Sequence, residues 1–126
     1  MKYFDKLIQF IINVNDMEKA KEFYVSKLGF NVTKDFRQDD QHWWVSLELP
    51  GGGTFFTLTT FHEGSKPGGM TLYVSSPDIE GAYKLLKEKG AAVTSEINDD
   101  LYGPRSGVKW FSVEDPDGNT WMIAEA

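Results

Sequence analysis

Short apolar runs broken by turn residues take up most of this chain, and two stretches switch to helical spacing. Leu7 to Val14 is apolar except for Gln9 and Asn13, and its β-branched residues predict a buried strand. Asn15 reads as a helix N-cap, with Glu18 three residues on completing a capping-box pattern, so a helix begins near Asp16. Met17, Ala20, Phe23, Tyr24 and Leu28 fall on one side of it, Glu18, Lys19, Lys21 and Glu22 face water, and Gly29 is placed to end it. Phe30 to Phe36 returns as a strand, Gln38-Asp39-Asp40 turns, and His42 to Leu49 runs up to the break at Pro50-Gly51-Gly52-Gly53. That glycine run is no phosphate loop, since it lacks a lysine and a following helix. Thr54 to Phe61 makes another strand, and Glu63 to Gly69 has linker composition.

The second half repeats the order of the first. Met70 to Ser75 is a strand, Ser76-Pro77 starts a helix with proline at its first position, and Asp78 to Lys89 carries the stripe Ile79, Ala82, Tyr83, Leu86 before Gly90. Ala92 to Ile97 is a strand and Asn98 to Gly107 a loop. Val108 to Val113 and Thr120 to Ala124 then pair across Asp115-Pro116-Asp117-Gly118-Asn119, dense hairpin-turn chemistry. Asp16-Met17-Glu18-Lys19-Ala20 matches Asp78-Ile79-Glu80-Gly81-Ala82, and Gly29-Phe30-Asn31-Val32 matches Gly90-Ala91-Ala92-Val93, at nearly one spacing. The fold class is therefore α+β: two tandem βαβββ units forming a curved mixed sheet around a cleft, with the helices on the outer face. We read one domain, 1–126, with a first unit near 1–62, a linker near 63–69 and a second unit near 70–126.

Composition narrows the function classes. With 126 residues, 40% of them hydrophobic, the chain suits one domain with a full core. Nineteen acidic residues against thirteen basic ones give −6, and no lysine or arginine run exists, which argues against nucleic acid as a partner. The longest apolar run near the start, Phe10 to Ile12, is far below the ~18 residues of a membrane helix. The absence of cysteine rules out disulfides and thiolate chemistry, and the charged start does not resemble a signal peptide, so a cytoplasmic location is expected.

Phe23-Tyr24, Leu28-Gly29-Phe30, the duplicated βαβββ order, Gly103-Pro104 and Asp115-Pro116-Asp117-Gly118-Asn119 together resemble the vicinal oxygen chelate superfamily of glyoxalase I, extradiol dioxygenases, fosfomycin-modifying enzymes and bleomycin-resistance proteins. The resemblance implies, in the enzymes, a divalent metal with two ligands from each unit. The matching positions here are Gln9, a strand position around Glu48, Thr71 (or Met70 or Gly69, if Ser75-Ser76-Pro77 is an insertion) and Met122. Glu48 and Gln9 offer oxygen, but a hydroxyl and a thioether do not hold Zn²⁺, Ni²⁺ or Fe²⁺ tightly. The resemblance thus points to the metal-free branch, with no cofactor and a small organic ligand in an aromatic-lined cleft. It also implies a homodimer. The alternatives are a metal-dependent lyase, isomerase or dioxygenase using Gln9 and Glu48, and a dimeric structural or partner-binding protein.

Other side chains are candidates on their own chemistry. Glu48 in an apolar cleft would be a general base, and as a strand-end carboxylate it would only meet solvent or a lysine. His42 shares strand parity with Trp44 and Glu48, and is either a ligand contact or an exposed turn histidine. His62, beside the linker, is expected to be solvated. Trp44 and Trp110 suit a planar ligand, whereas Trp121 should pack under a helix. Tyr102 and Arg105 lie in a loop that either covers the cleft mouth, contacting a polar ligand, or is ordinary surface.

Overall fold

The computed structural model describes residues 2–61 and 65–125. His62 lies outside them, as do Glu63 and Gly64 of the linker. The chain divides into two units, Met1–Pro67 and Gly68–Ala126. The first holds β1 (Gln9–Asn13), α1 (Met17–Lys21) continuing into a π-helical segment (Glu22–Lys27), β2 (Asn31–Asp39), β3 (His42–Glu48) and β4 (Phe55–Thr59). The second holds β5 (Thr71–Ser76), α2 (Ile79–Glu88), β6 (Ala92–Val93), β7 (Trp110–Glu114) and β8 (Thr120–Glu125). Backbone bonds group the strands into two mixed sheets ordered β1-β4-β3-β2 and β5-β8-β7-β6. In each, the first strand runs parallel to the last and the other pairs are antiparallel. This is the α+β, twice βαβββ order that the sequence predicts. No helix among the described residues is long and apolar enough to cross a membrane.

Both helices start on an aspartate. The Asp16 carboxylate accepts from the Lys19 backbone N–H at 3.2 Å and the Asp78 carboxylate from that of Gly81 at 3.0 Å. The cap is thus Asp16 and not Asn15, because a carboxylate is further favoured by the partial positive charge of a helix start. Pro77 likewise stands outside the helix, between Ser76 at the end of β5 and the Asp78 cap. Gly29 and Gly90 take positive φ after the helices, at +77° and +73°. After Gly90 the Ala91 N–H returns to the Leu86 carbonyl at 3.0 Å, the bond that closes a left-handed helix end. In the first unit the π segment adds a residue to the turn, so the Leu28 N–H reaches back to Phe23. Both adjacent rings, Phe23 and Tyr24, are buried there.

Each helix covers one face of its own sheet. Tyr24 meets Phe56 edge-on at 5.5 Å, over a layer that includes Ile12, Val45, Leu47 and Leu58. In the second unit Tyr83 meets Phe111 at 5.2 Å, and Ile79 and Leu86 are buried with Val113, Trp121 and Ile123. On the helix side of β3, Trp43 Nε1 donates to Asp35 at 2.7 Å while Lys21 bonds the other oxygen of the same carboxylate at 2.8 Å, which ties helix, edge strand and core together. The Arg37 guanidinium lies 4.1 Å from the Trp43 ring centre.

Two strands differ from expectation. β2 runs on to Asp39, with irregular register near Thr33 and Gln38, so the turn falls on Asp40-Gln41. Pairing with His42 carries the strand past the polar Gln38 that reads as its end. β6 is only Ala92–Val93 where Ala92 to Ile97 was expected. Beyond it the Thr94 N–H still bonds the Ser112 carbonyl, but Ser95 turns its hydroxyl to the Ser112 N–H in place of a backbone group, and pairing resumes only at an Asn98–Trp110 bridge.

The final hairpin is organised by one buried pair. Asp115 accepts from the backbone N–H groups of Asp117 and Asn119 at 2.9 and 2.8 Å and from the Asn119 amide at 2.8 Å. The Asn119 side-chain Oδ1 accepts from the Met70 N–H at 3.0 Å, pinning the start of β5. Asn119 is 0% exposed. Asn119→Ala should cost about 2–3 kcal/mol by removing the amide's bond to Asp115 and stranding the Met70 backbone N–H, seen as a lower urea midpoint with an unchanged slope.

The Trp43–Asp35–Lys21 tie generates a pH prediction. Burial alone would raise the Asp35 carboxyl, but hydrogen bonds from Lys21 and Trp43 and the charges of Lys21 and Arg37 outweigh it and hold it below the ordinary aspartate value. A carboxyl lowered in the folded state contributes stability above its unfolded pKa, about 3.9, and loses it as pH falls through the lower folded value. Wild type should therefore exceed Asp35→Asn in urea midpoint at pH 7, and the difference should shrink below about pH 4.

Candidate functional site

One helix leaves the other face of each sheet uncovered by its own unit, and strand pairing shows which side chains share it. In the first unit Ile11, Thr57, Ser46 and Lys34 form one row across the four strands, and Asn13, Thr59, Trp44 and Phe36 form the next. Gln9, opposite Phe55, shares this face, as do His42 and Glu48 by parity along β3.

Three polar residues of this face bond one another. Thr57 Oγ1 donates to Gln9 Oε1 at 3.0 Å and lies 2.8 Å from Ser46 Oγ. A hydroxyl has one proton, and that of Thr57 goes to Gln9, so Ser46 donates to Thr57. Beside this chain lies an aromatic cluster. Trp44 is 5.8 Å from Phe36, 6.3 Å from His42 and 6.3 Å from Phe61 between ring centres, and His42 stacks on Phe61 at 5.0 Å and 25°. Phe36 is 54% and Phe61 44% exposed. His42 Nδ1 sits 2.9 Å from Asp39 Oδ1, and that contact is the first cause holding the Asp39 carboxyl below its ordinary value. His42 thus belongs to the aromatic cluster as well as to the turn. Glu48 is exposed at the strand end, without the apolar surround that a general base requires.

In the second unit Thr71 pairs with Thr120, Tyr73 with Met122 and Ser75 with Ala124, while Trp110 and Ser112 stand opposite Ala124 and Met122. Ser112 Oγ is 2.7 Å from Thr94 Oγ1. Trp110 lies on this face, and its Nε1 donates to Asp100 at 2.9 Å, holding the loop that carries Tyr102. Tyr102 is 77% exposed and, with Tyr73, Ser75, Val108 and Ala124, lines an open groove of about 1020 Å³. Arg105, at φ 72°, is exposed and is not among the residues lining it. Trp121 is buried on the helix side.

The two faces are copies. Trp44-Val45-Ser46-Leu47-Glu48 and Trp110-Phe111-Ser112-Val113-Glu114 occupy equivalent strands, and Ser46 stands opposite Thr57 as Ser112 stands opposite Met122. Met122 is therefore the counterpart of Thr57, and Glu48 that of Glu114. The expectation that Glu48 fills the first unit's later-strand position is corrected, because Glu48 lies on β3 and Met122 on the strand equivalent to β4. The same register makes Thr71, rather than Met70 or Gly69, the counterpart of Gln9. Sequence reading missed Thr57, Ser46, Phe36 and Asp39; the repeated Trp-x-Ser-x-Glu was the available signal.

These residues do not fit a divalent-metal centre. The equivalent positions carry an amide and a hydroxyl in one unit and a hydroxyl and a thioether in the other, and Gln9 Oε1 already accepts from Thr57. Among the described residues no three His, Cys, Asp or Glu side chains come together as a metal-holding group.

Comparison with known proteins agrees with this architecture. The model of the Glyoxalase/Bleomycin resistance protein/Dioxygenase superfamily matches residues 6–123. A superfamily member from Sphaerobacter thermophilus is 31% identical, with a TM-score of 0.79 and 98% of each chain covered. TnmS3, an antibiotic-binding protein from Streptomyces sp. CB03234, is 27% identical, with a TM-score of 0.79 over 99% of this chain and 98% of its own. YetH of Bacillus subtilis is 25% identical over 116 residues, 90% of this chain and 92% of its own.

Thr57→Val keeps the shape and removes the hydroxyl that joins Gln9 to Ser46. It should lower stability by about 1–2 kcal/mol in urea unfolding, and Ser46→Ala in the same background should add little, since the two share one network.

Proposed function

The chain belongs to the Glyoxalase/Bleomycin resistance protein/Dioxygenase superfamily, and from that premise we propose that it is a metal-independent protein that binds a small organic ligand. The observation that carries this reading is the helix-free face of the first unit. There an exposed cluster of Phe36, His42, Trp44 and Phe61 adjoins the Gln9–Thr57–Ser46 chain, with amide and hydroxyl groups at the positions the metal enzymes of the family use as ligands. Aromatic walls beside a few fixed polar groups suit a planar ligand, which gains stacking and apolar contact on the rings and orientation from the polar atoms. The antibiotic-binding relative TnmS3 supports a binding role for this scaffold. The second unit's groove between Tyr73 and Tyr102 is a further contact region in this reading, with Thr71, Trp110 and Met122 on the same sheet face and Arg105 in the adjoining loop. Glu48 has no catalytic part in it. The reading includes a cytoplasmic location and a homodimer, in which a second copy covers exposed apolar residues such as Leu7, Ile8, Ile11 and Val32.

Elemental analysis of protein purified without chelator, together with ligand titrations followed by tryptophan fluorescence, tests the proposal. We expect substoichiometric metal, saturable quenching by planar aromatic compounds, and affinity about three- to tenfold weaker in Trp44→Leu, the range of one stacking contact. Stoichiometric metal lost in Gln9→Ala or Glu48→Ala would overturn it in favour of a metal-dependent lyase, isomerase or dioxygenase. A dimer that binds no such compound would favour a structural or partner-binding role.

A further inference from the structure

The aromatic cluster of the first unit contains one titratable ring, and its setting has a defined polarity. His42 opens β3, with its ring stacked on Phe61 and tilted against Trp44, so the imidazole is one wall of the same site that the proposed function uses. Its Nδ1 is 2.9 Å from Asp39 Oδ1, and that oxygen also accepts from the Gln41 backbone N–H at 2.9 Å, which fixes the carboxylate across the β2–β3 turn. An ionised carboxylate only accepts hydrogen bonds, so Nδ1 carries the proton, and in the neutral ring Nε2 is then an acceptor. The Asp39 contact thus fixes which ring nitrogen is left to a ligand, as in histidines oriented by a carboxylate elsewhere. The other charges at this turn balance: Asp40 is engaged by Arg37. Among the described residues of the turn, the one cation, Arg37, is taken up by Asp40, and Lys34 lies on the same face beyond the Phe36–Trp44 row, so an anionic group beside His42 would meet Asp39.

We propose that Asp39 and His42 form the polar anchor of this aromatic site, His42 Nε2 accepting a hydrogen bond from the acidic hydroxyl of a planar aromatic ligand, a phenol or hydroxyquinone, whose ring lies against Trp44 and Phe36. This rests on the binding reading above and names the ligand class for it. His42 contacts the ligand; Asp39 is a positioning residue, holding the imidazole in the tautomer that accepts. A planar ligand with the same ring but a blocked hydroxyl keeps the stacking and loses the anchor. One with a carboxylate keeps the ring contacts and meets the Asp39 charge.

Calorimetric titration with 2-naphthol, 2-methoxynaphthalene and 2-naphthoate tests this at pH 7.5, where the naphthol is neutral. Wild type should bind 2-naphthol about tenfold more tightly than either comparator, the worth of one hydrogen bond to a strong acceptor. His42→Phe keeps a ring in the cluster and should bring 2-naphthol down to the affinity of 2-methoxynaphthalene, whose own affinity stays within about twofold. Asp39→Asn should shrink the naphthol preference while leaving 2-methoxynaphthalene unchanged, which general loosening of the turn would not do. A preference that survives in His42→Phe, an absent preference in wild type, or tightest binding of 2-naphthoate would overturn the anchor while leaving an aromatic binding site standing. If none of the three binds wild type, the aromatic site itself falls, and the binding reading with it.

Discussion

Each four-stranded sheet here has one helix to bury one of its faces, and most of the structure follows from that shortage. Residues alternate across a strand, so β3 sends Trp43, Val45 and Leu47 to the helix side, where they are buried, and Trp44, Ser46 and Glu48 to the other. The helix side is an ordinary core of close-packed rings and branched side chains, in which burying each Leu, Val or Phe is worth about 1.5–3 kcal/mol. The other side cannot be apolar throughout without leaving a large greasy patch, nor freely polar without losing the support that strands draw from cross-strand contacts. The chain resolves this with short side chains bonded to one another and a few rings. Among the described residues no buried side-chain nitrogen or oxygen lacks a partner.

Duplication gives this face twice, with different contents. The Trp-x-Ser-x-Glu strand persists in both copies, while the flanking strands differ: Gln9, Ile11 and Thr57 in one, Thr71, Tyr73 and Met122 in the other. The conserved strand carries the geometry, since its serine bonds a neighbouring hydroxyl in each unit, to Thr57 in the first and to Thr94 in the second. The flanking positions set the chemistry. In the first unit they present an amide already bonded to a hydroxyl, beside an imidazole whose tautomer Asp39 sets. An amide already bonded to a hydroxyl is a weak donor set for a hard or borderline cation.

Side-chain contact across the β2–β3 turn distinguishes His42 from a solvated turn histidine. By sequence it is one polar residue after three others, Asp39, Asp40 and Gln41. Extension of β2 to Asp39 brings the carboxylate opposite the imidazole, and the return of β4 brings Phe61 onto the ring. Trp43 and Trp44, adjacent in sequence, end in opposite environments for the same reason: one is gripped by Asp35 under the helix, and the other is set among rings on the far face.

By itself, the sequence determined the two βαβββ units, both helices to within a residue or two, and the final hairpin. These depend on period, caps and turn residues, which act over a few neighbours. Parity along one strand was legible too, which is why Trp44, Glu48 and His42 could be grouped before any fold was known. Register between strands was not. Which β4 residue stands where Met122 stands depends on how far β4 slides against β3, a choice made by packing of Phe56 under Tyr24 and Phe30 and by the length of the glycine turn, not by any local residue. The truncation of β6 and the Asp39–His42 contact were decided in the same way. Each depends on partners more than two residues away whose meeting is a property of the assembled sheet.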